Sequence, residues 1–218
     1  MAAVPSPERS IRVDPERLKG WIARFTERHG PLEPASDDAT LRLLAADGAV
    51  ALLALRWGSL PAEVDPVAAV VAAYNEQRTV GVLLVRRKAH GVGIFDGSLL
   101  RQARHDSHYV QGRTKAGGWS QQRYARRRAN QADRAFAEAA EDAASVLLPQ
   151  LAELETLVLG GDGAAVRAVL DTPGLEQLKA LTETSRHPVY SVPDPNRGVL
   201  EGFAQTFRAV PIQLNGLA

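Results

Sequence analysis

The chain has 218 residues, of which 45% are hydrophobic and 23% charged, enough to bury a sizeable core in one globular domain with at most a small appendage. It contains no cysteine, which excludes disulfide frameworks, thiolate zinc sites and cysteine nucleophiles. A net charge of +1 describes no polycation, and with neither an export signal nor the ~18 uninterrupted apolar residues of a membrane span, a cytoplasmic protein is expected.

From Asp14, a capping candidate followed by Pro15, the stretch PERLKGWIARFTERHG sets Leu18, Ile22 and Phe25 on one helical face and stops at Gly30 and Pro31. TLRLLAADGAVALLALRW predicts two apolar strands around the Asp47-Gly48 turn. A short helix is expected around Asp65 to Glu76. An antiparallel meander follows: a strand from Thr79, a turn near His90-Gly91, a second strand, an Asp96-Gly97 turn and a longer third strand. From Gln121 to Leu147, Ala125, Ala129, Ala132, Phe136, Ala139, Ala143 and Leu147 step by three or four, predicting a long helix with one buried stripe that Pro149 closes. LETLVLGGDGAAVRAVL reads as strand, glycine turn and helix; GLEQLKALTE as a further helix; HPVYSV as a short strand; DPNRGVLEGFAQTFRAV as helical; AVPIQL as the last strand. The order predicts an α/β (α+β) sandwich with a mixed sheet, antiparallel in its first half and crossed by helices in its second.

Charge is distributed unevenly along this framework. Residues 101–134 carry nine arginines and lysines against Asp106 and Asp133, or +7, and the rest of the chain sums to −6. Arg123, Arg127, Asn130 and Arg134 lie opposite the alanine stripe, with Arg126 at the flank. Cations in the first two helical turns oppose the helix dipole, and like charges at positions 123 and 127 repel. That arrangement is unfavourable by itself but well matched to a phosphate backbone. Ahead of it, Gly112, Gly117 and Gly118 loosen a loop that Arg113 and Lys115 keep positive. Gln121 and Gln122 neither titrate nor serve as bases, so their contribution is hydrogen bonding and positioning.

Three other constellations carry less. HDSHY, residues 105–109, holds the letters of a Ser-His-Asp triad, but strand alternation sends neighbours to opposite faces, and His105 and His108 likewise. No zinc site or other metal site is expected there. In GGDGAAV, residues 160–166, Val166 occupies the third glycine position of a dinucleotide fingerprint, which leaves a plain strand-to-helix turn. The scattered acids form no catalytic pair.

A strand ending His108-Tyr109, then Arg113-x-Lys115, then Gly118-Trp119-Ser120-Gln121 opening a long basic helix, resembles the glycine-glycine-glutamine loop of polypeptide release factors. It is more closely similar to the release-factor-like peptidyl-tRNA hydrolases of ribosome rescue, the Vms/ankyrin-zinc-finger family with its short actinobacterial branch. The likeness in element order runs from about residue 40 to the C-terminus. The resemblance implies the catalytic-domain fold of eukaryotic and archaeal release factors over residues 35–218, with 1–34 as an extension carrying a helix. It implies a peptidyl-tRNA hydrolase acting on stalled large ribosomal subunits, associated with rRNA at the peptidyl-transferase centre and with peptidyl-tRNA, monomeric off the ribosome, and needing no cofactor. Gln121, with Gly117, Gly118 and the neighbouring Gln122, would then form the catalytic loop. Arg113, Lys115, Trp119, Arg123, Arg126, Arg127, Arg128 and Arg134 would hold RNA. In release factors the glutamine follows the glycine pair directly; here Trp119 and Ser120 intervene, and Gln121 and Gln122 compete for the position. Two rival functions share the same basic patch: a non-catalytic RNA-binding protein of the ribosome, and a nuclease cutting the tRNA acceptor end.

Overall fold

A computed structural model describes residues 8–60, 64–107 and 134–218. In chain order the elements are β1 (Arg9–Val13), α1 (Pro15–His29), β2 (Leu32–Ser36), β3 (Thr40–Ala45), β4 (Val50–Ala54), α2 (Pro66–Asn75), β5 (Thr79–Arg86), β6 (Ala89–Asp96) and β7 (Leu99–Ser107). They continue with α3, helical over 134–147, then β8 (Thr156–Gly161), α4 (Gly163–Leu170), α5 (Glu176–Leu181), α6 (Arg197–Gly202), α7 (Ala204–Phe207) and β9 (Val210–Leu214). They fall into two compact units, one comprising the described residues up to Gln77 with Arg208–Ala218, the other Arg78–Phe207.

The first unit is a five-stranded antiparallel sheet in the order β1-β9-β4-β3-β2. The Asp47-Gly48 hairpin forms as its sequence predicts, with Gly48 at φ 89° and Asp47 Oδ1 accepting from the Ala49 N–H at 2.9 Å. Leu41, Leu43 and Ala45 alternate inward along β3. Asn215, just beyond β9, ties the hairpin down by accepting from Val50 N at 2.9 Å and donating to Gly48 O at 3.0 Å. On α1 the expected face of Leu18, Ile22 and Phe25 is buried, and Gly30 ends the helix at φ 88°. Asp14 occupies the N-cap but its side chain makes no capping hydrogen bond. Asp65 does cap α2, accepting from Val67 N at 3.1 Å. The edge strands RSIRV and LEPAS give no periodicity signal, because mostly exposed edges carry little apolar alternation.

The second unit is a mixed four-stranded sheet in the order β7-β6-β5-β8, with β8 parallel to β5. The expected mixed α/β architecture is therefore present, although the strands divide between two sheets rather than one. Both faces of this sheet are covered, which is why β5 reads VGVLLV without alternation. Leu83 and Val85 of β5 with Val92 and Ile94 of β6 pack under α3, α4 and α5. From the other side come Leu200 and the edge-to-face pair Phe95 and Phe207, with ring centroids 5.4 Å apart.

Three local expectations need correction. His90 and Gly91 do not turn; both lie buried inside β6, and the turn is Arg87-Lys88. Gly93, two residues on in the same strand, serves packing, since a Cβ there would sit 2.9 Å from Leu100 Cδ1. HPVYSV contributes only a single bridge, Tyr190 to Gly160. The helical stretch after Asn196 is two short helices, α6 and α7.

The GGDG turn is structural, as the missing third glycine predicts. Gly161 has φ 104°, and a Cβ there would fall 2.0 Å from Val85 O. Asp162 then caps α4, accepting from Ala164 N at 2.9 Å and Ala165 N at 3.3 Å. Gly161→Ala is therefore expected to destabilise the protein by at least about 2 kcal/mol in urea denaturation, from strain and backbone clash together.

Candidate nucleic-acid interface

Strand β7 and helix α3 bracket the basic segment. Of the residues singled out in the sequence, Arg113, Lys115, Gly117, Gly118, Trp119, Gln121, Gln122, Arg123, Arg126, Arg127 and Arg128 lie outside the described residues, as does His108. Arg134 opens the described part of α3 with its side chain 85% exposed, and its Nε lies 3.9 Å from Glu138 Oε1, one turn on. On the opposite side of α3, Ala139, Ala143 and Leu147 are fully buried and Phe136 packs partly against them. The face assignment read from sequence therefore holds wherever the helix is described.

The count of +7 over residues 101–134 does not translate into seven uncompensated charges. Arg101 Nη2 donates to Glu153 Oε2 at 2.9 Å and its Nη1 lies 3.5 Å from Asp96 Oδ2. Arg104 Nη1 donates to Asp142 Oδ1 at 3.0 Å. Those acids lie outside the counted window and reach β7 only through the fold. Arg101 and Arg104 thus anchor the edge strand.

Asp142 is the joint between α3 and the sheet. Its Oδ2 lies 3.0 Å from Nε2 of His90, which is 2% exposed on β6, while Oδ1 takes the Arg104 hydrogen bond. An ionised carboxylate only accepts, so His90 Nε2 carries the proton of that bond. Partial burial pushes the Asp142 carboxyl up, but the hydrogen bonds from His90 and then Arg104 outweigh it and leave the group below its ordinary value. No sequence pattern announces this cluster, whose members are 14 and 38 residues apart on strands and a helix brought together by pairing.

Asp142→Ala is expected to cost about 1.5–3 kcal/mol, because it removes the acceptor of a buried imidazole and of a guanidinium. The pH dependence follows from the lowered folded-state value. Between the folded and unfolded values the unfolded chain binds more protons, so the Asp142 contribution is fully present above about pH 4 and is lost as pH falls through the folded value. Denaturant titrations of wild type and variant are expected to differ at neutral pH and to converge on acidification.

Register places one more basic feature at the same end of the sheet. Ser107, where β7 hands the chain to residue 108, pairs with Ala89, and Ala89 pairs with Arg86. The tip between them is Arg87-Lys88, both exposed. Arg86 is engaged, donating to Val192 O at 2.8 Å and lying 3.2 Å from Asp194 Oδ1. Arg87 and Lys88 have no ion pair among the described residues. The basic tripeptide is visible in the sequence, but only strand pairing shows which end of the sheet it occupies. His105 and Asp106 are exposed neighbours on β7, and no cluster of three or more metal-ligating side chains occurs among the described residues.

The edge strand β7 leads into the basic, glycine-rich segment of the sequence, and the amphipathic helix α3 follows that segment. The family model described as the Actinobacteria/chloroflexi VLRF1 release factor matches residues 78–213, and the chain belongs to that family. The peptide chain release factor subunit 1 of Aeropyrum pernix is 31% identical over 94 residues, 42% of this chain and 25% of that protein. The chain thus spans about a quarter of the length of this curated relative. Among solved structures, an archaeal protein aligns with a TM-score of 0.41 at 14% identity, over 76% of this chain and 52% of the other. The archaeal translation termination factor aRF1 aligns with a TM-score of 0.43 at 14% identity, over 91% of this chain and 66% of the other. Among the described residues no helix is long and apolar enough to cross a membrane.

Proposed function

We propose that the protein is a peptidyl-tRNA hydrolase that releases nascent chains from stalled large ribosomal subunits. The observation that carries this reading is that the release-factor family match over 78–213 contains the whole glycine-rich basic segment, from Gly112 to Arg128. Membership of a release-factor family supports a role in translation termination or ribosome rescue; the ester-hydrolysis chemistry, the site residues and the large-subunit partner are our assignment.

Glutamine has no proton to give or take at neutral pH, so the reaction must rely on positioning and charge stabilisation. The oxygen of water attacks the ester carbonyl carbon, the negative charge collects on the carbonyl oxygen, and the bond to the tRNA ribose oxygen breaks. The ribose oxygen takes a proton and the peptide leaves as a carboxylic acid. The backbone N–H of Gln121 faces the developing oxyanion while its side chain holds the water. Gly117 and Gly118 admit the backbone close to RNA, with Gln122 as the neighbouring candidate. Trp119 stacks on a base, and Arg113, Lys115, Arg123, Arg126, Arg127, Arg128 and Arg134 hold phosphates, with Arg87 and Lys88 extending the same positive surface.

The test is peptide release from stalled large subunits, with the 3′ end of the tRNA product mapped. Release that leaves an intact acceptor end supports ester hydrolysis. A shortened end makes the protein a nuclease, and binding without release makes it an RNA-binding protein.

A further inference from the structure

The unit that joins residues 8–77 to 208–218 carries a groove of about 610 Å³ between α1 and the strands β1 and β9. Every residue lining it, apart from Leu214 at the very edge, lies well outside the family match at 78–213. Trp21, Phe25 and His29 recur every fourth residue of α1, and their rings form a column: Trp21 stacks on Phe25 at 5.2 Å and 20°, and Phe25 meets His29 at 4.7 Å. The column is anchored at its base, where His29 Nδ1 lies 2.8 Å from Asp47 Oδ2. Phe25 and His29 are buried, whereas the half-exposed Trp21 lines the groove. Its indole is thus held flat before any ligand arrives.

Around this plate stand three guanidinium groups. Arg24 and Arg28 are exposed on the same flank of α1, four residues apart, and neither has an ion pair among the described residues. Like charges at that spacing repel, so the pair costs stability without an internal return. Arg9 enters from β1, where its Nη2 also donates to Ala218 O at 3.2 Å. Glu27 is the one acid among the lining residues.

We infer that this groove is a binding site for single-stranded RNA, with a base stacked on Trp21 and successive phosphates on Arg24, Arg28 and Arg9. A fixed aromatic plate selects a planar ring without regard to base identity, and guanidinium forks match phosphate oxygens. The cations are divided between α1 and β1 rather than gathered at one point, which favours a strand with successive phosphates over a free nucleotide. The site is separate from residues 112–134 and does not depend on the hydrolase reading.

The measurement is anisotropy of a fluorescein-labelled 12-nucleotide uridine RNA titrated with the full chain, in an Arg126→Glu/Arg127→Glu/Arg128→Glu background that suppresses binding through the basic segment. Arg24→Gln/Arg28→Gln removes two exposed charges with no ion-pair partner among the described residues, and is expected to flatten the slope of log affinity against log salt by about 1.4. Trp21→Ala is expected to weaken binding roughly 5- to 150-fold, with circular dichroism confirming that the variant is folded. Should the arginine variant keep its affinity within about twofold and its slope unchanged, the site is refuted. Competition by uridine monophosphate as effective as that by the 12-mer, at equal nucleotide concentration, would overturn the assignment to a strand.

Discussion

Replacing Gln121 by alanine is expected to lower single-turnover peptide release from stalled large subunits by about 100-fold or more, with subunit binding held within about twofold. A factor of about 100 corresponds to about 2.7 kcal/mol of transition-state stabilisation. This is the scale of the effect when a reacting group is displaced by about 1 Å or one oxyanion donor is removed. The substitution keeps the backbone N–H, so it isolates the role of the side chain in holding water. Binding is expected to survive because the proposal places the affinity in the arginines and lysine around it, not in an uncharged amide. Gln122→Ala supplies the matching measurement: if it abolishes release while Gln121→Ala does not, the catalytic position moves by one residue. Undiminished release in both variants would remove glutamine from the chemistry altogether.

The second large effect concerns charge. Changing Arg126, Arg127 and Arg128 to glutamate replaces three cations by three anions in the segment where the sequence concentrates them. Every phosphate that a cation no longer neutralises takes about 0.7–0.9 off the slope of log affinity against log salt, so the triple variant is expected to flatten it by about 2 to 3. Association with large subunits at moderate salt is expected to fall by about 100-fold or more, because the glutamates would also repel the phosphates that the arginines are proposed to hold. Sedimentation of the variant with large subunits over a series of potassium chloride concentrations reads both quantities. Unchanged co-sedimentation across that series would show that the positive segment is merely a hydrated helix face.

A linear charge count overstates the free positive charge of this region. Arg101 and Arg104 look identical in kind to Arg126 or Arg127 along the chain, yet Glu153, Asp96 and Asp142 neutralise them in the folded protein. Charge reversal at 101 or 104 would disturb the anchoring of β7 to its neighbours and confuse structural damage with weakened RNA binding. Arg134, whose side chain is 85% exposed, has no such strong partner among the described residues, the Glu138 carboxylate standing 3.9 Å away.

What the sequence determined by itself lay in local periodicity and turn chemistry, with the turn at His90-Gly91 as an exception. The buried face of α1 at Leu18, Ile22 and Phe25, the Asp47-Gly48 hairpin, the Asp65 cap, the described part of the α3 stripe from Phe136 to Leu147 and the GGDG turn all follow from interactions within a few residues. Tertiary structure alone decided what depends on distant partners. RSIRV becomes a strand because it pairs with β9 some 200 residues away, and His90-Gly91 stays extended because β5 and β7 flank it on both sides. The joint at Asp142, the placement of Arg87-Lys88 beside the end of β7, and the gathering of Arg9, Trp21 and Arg28 around one groove have the same origin. Side-chain periodicity records which face of an element is dry, whereas the identity of the partner across a sheet or groove is set by packing energies summed over the whole chain.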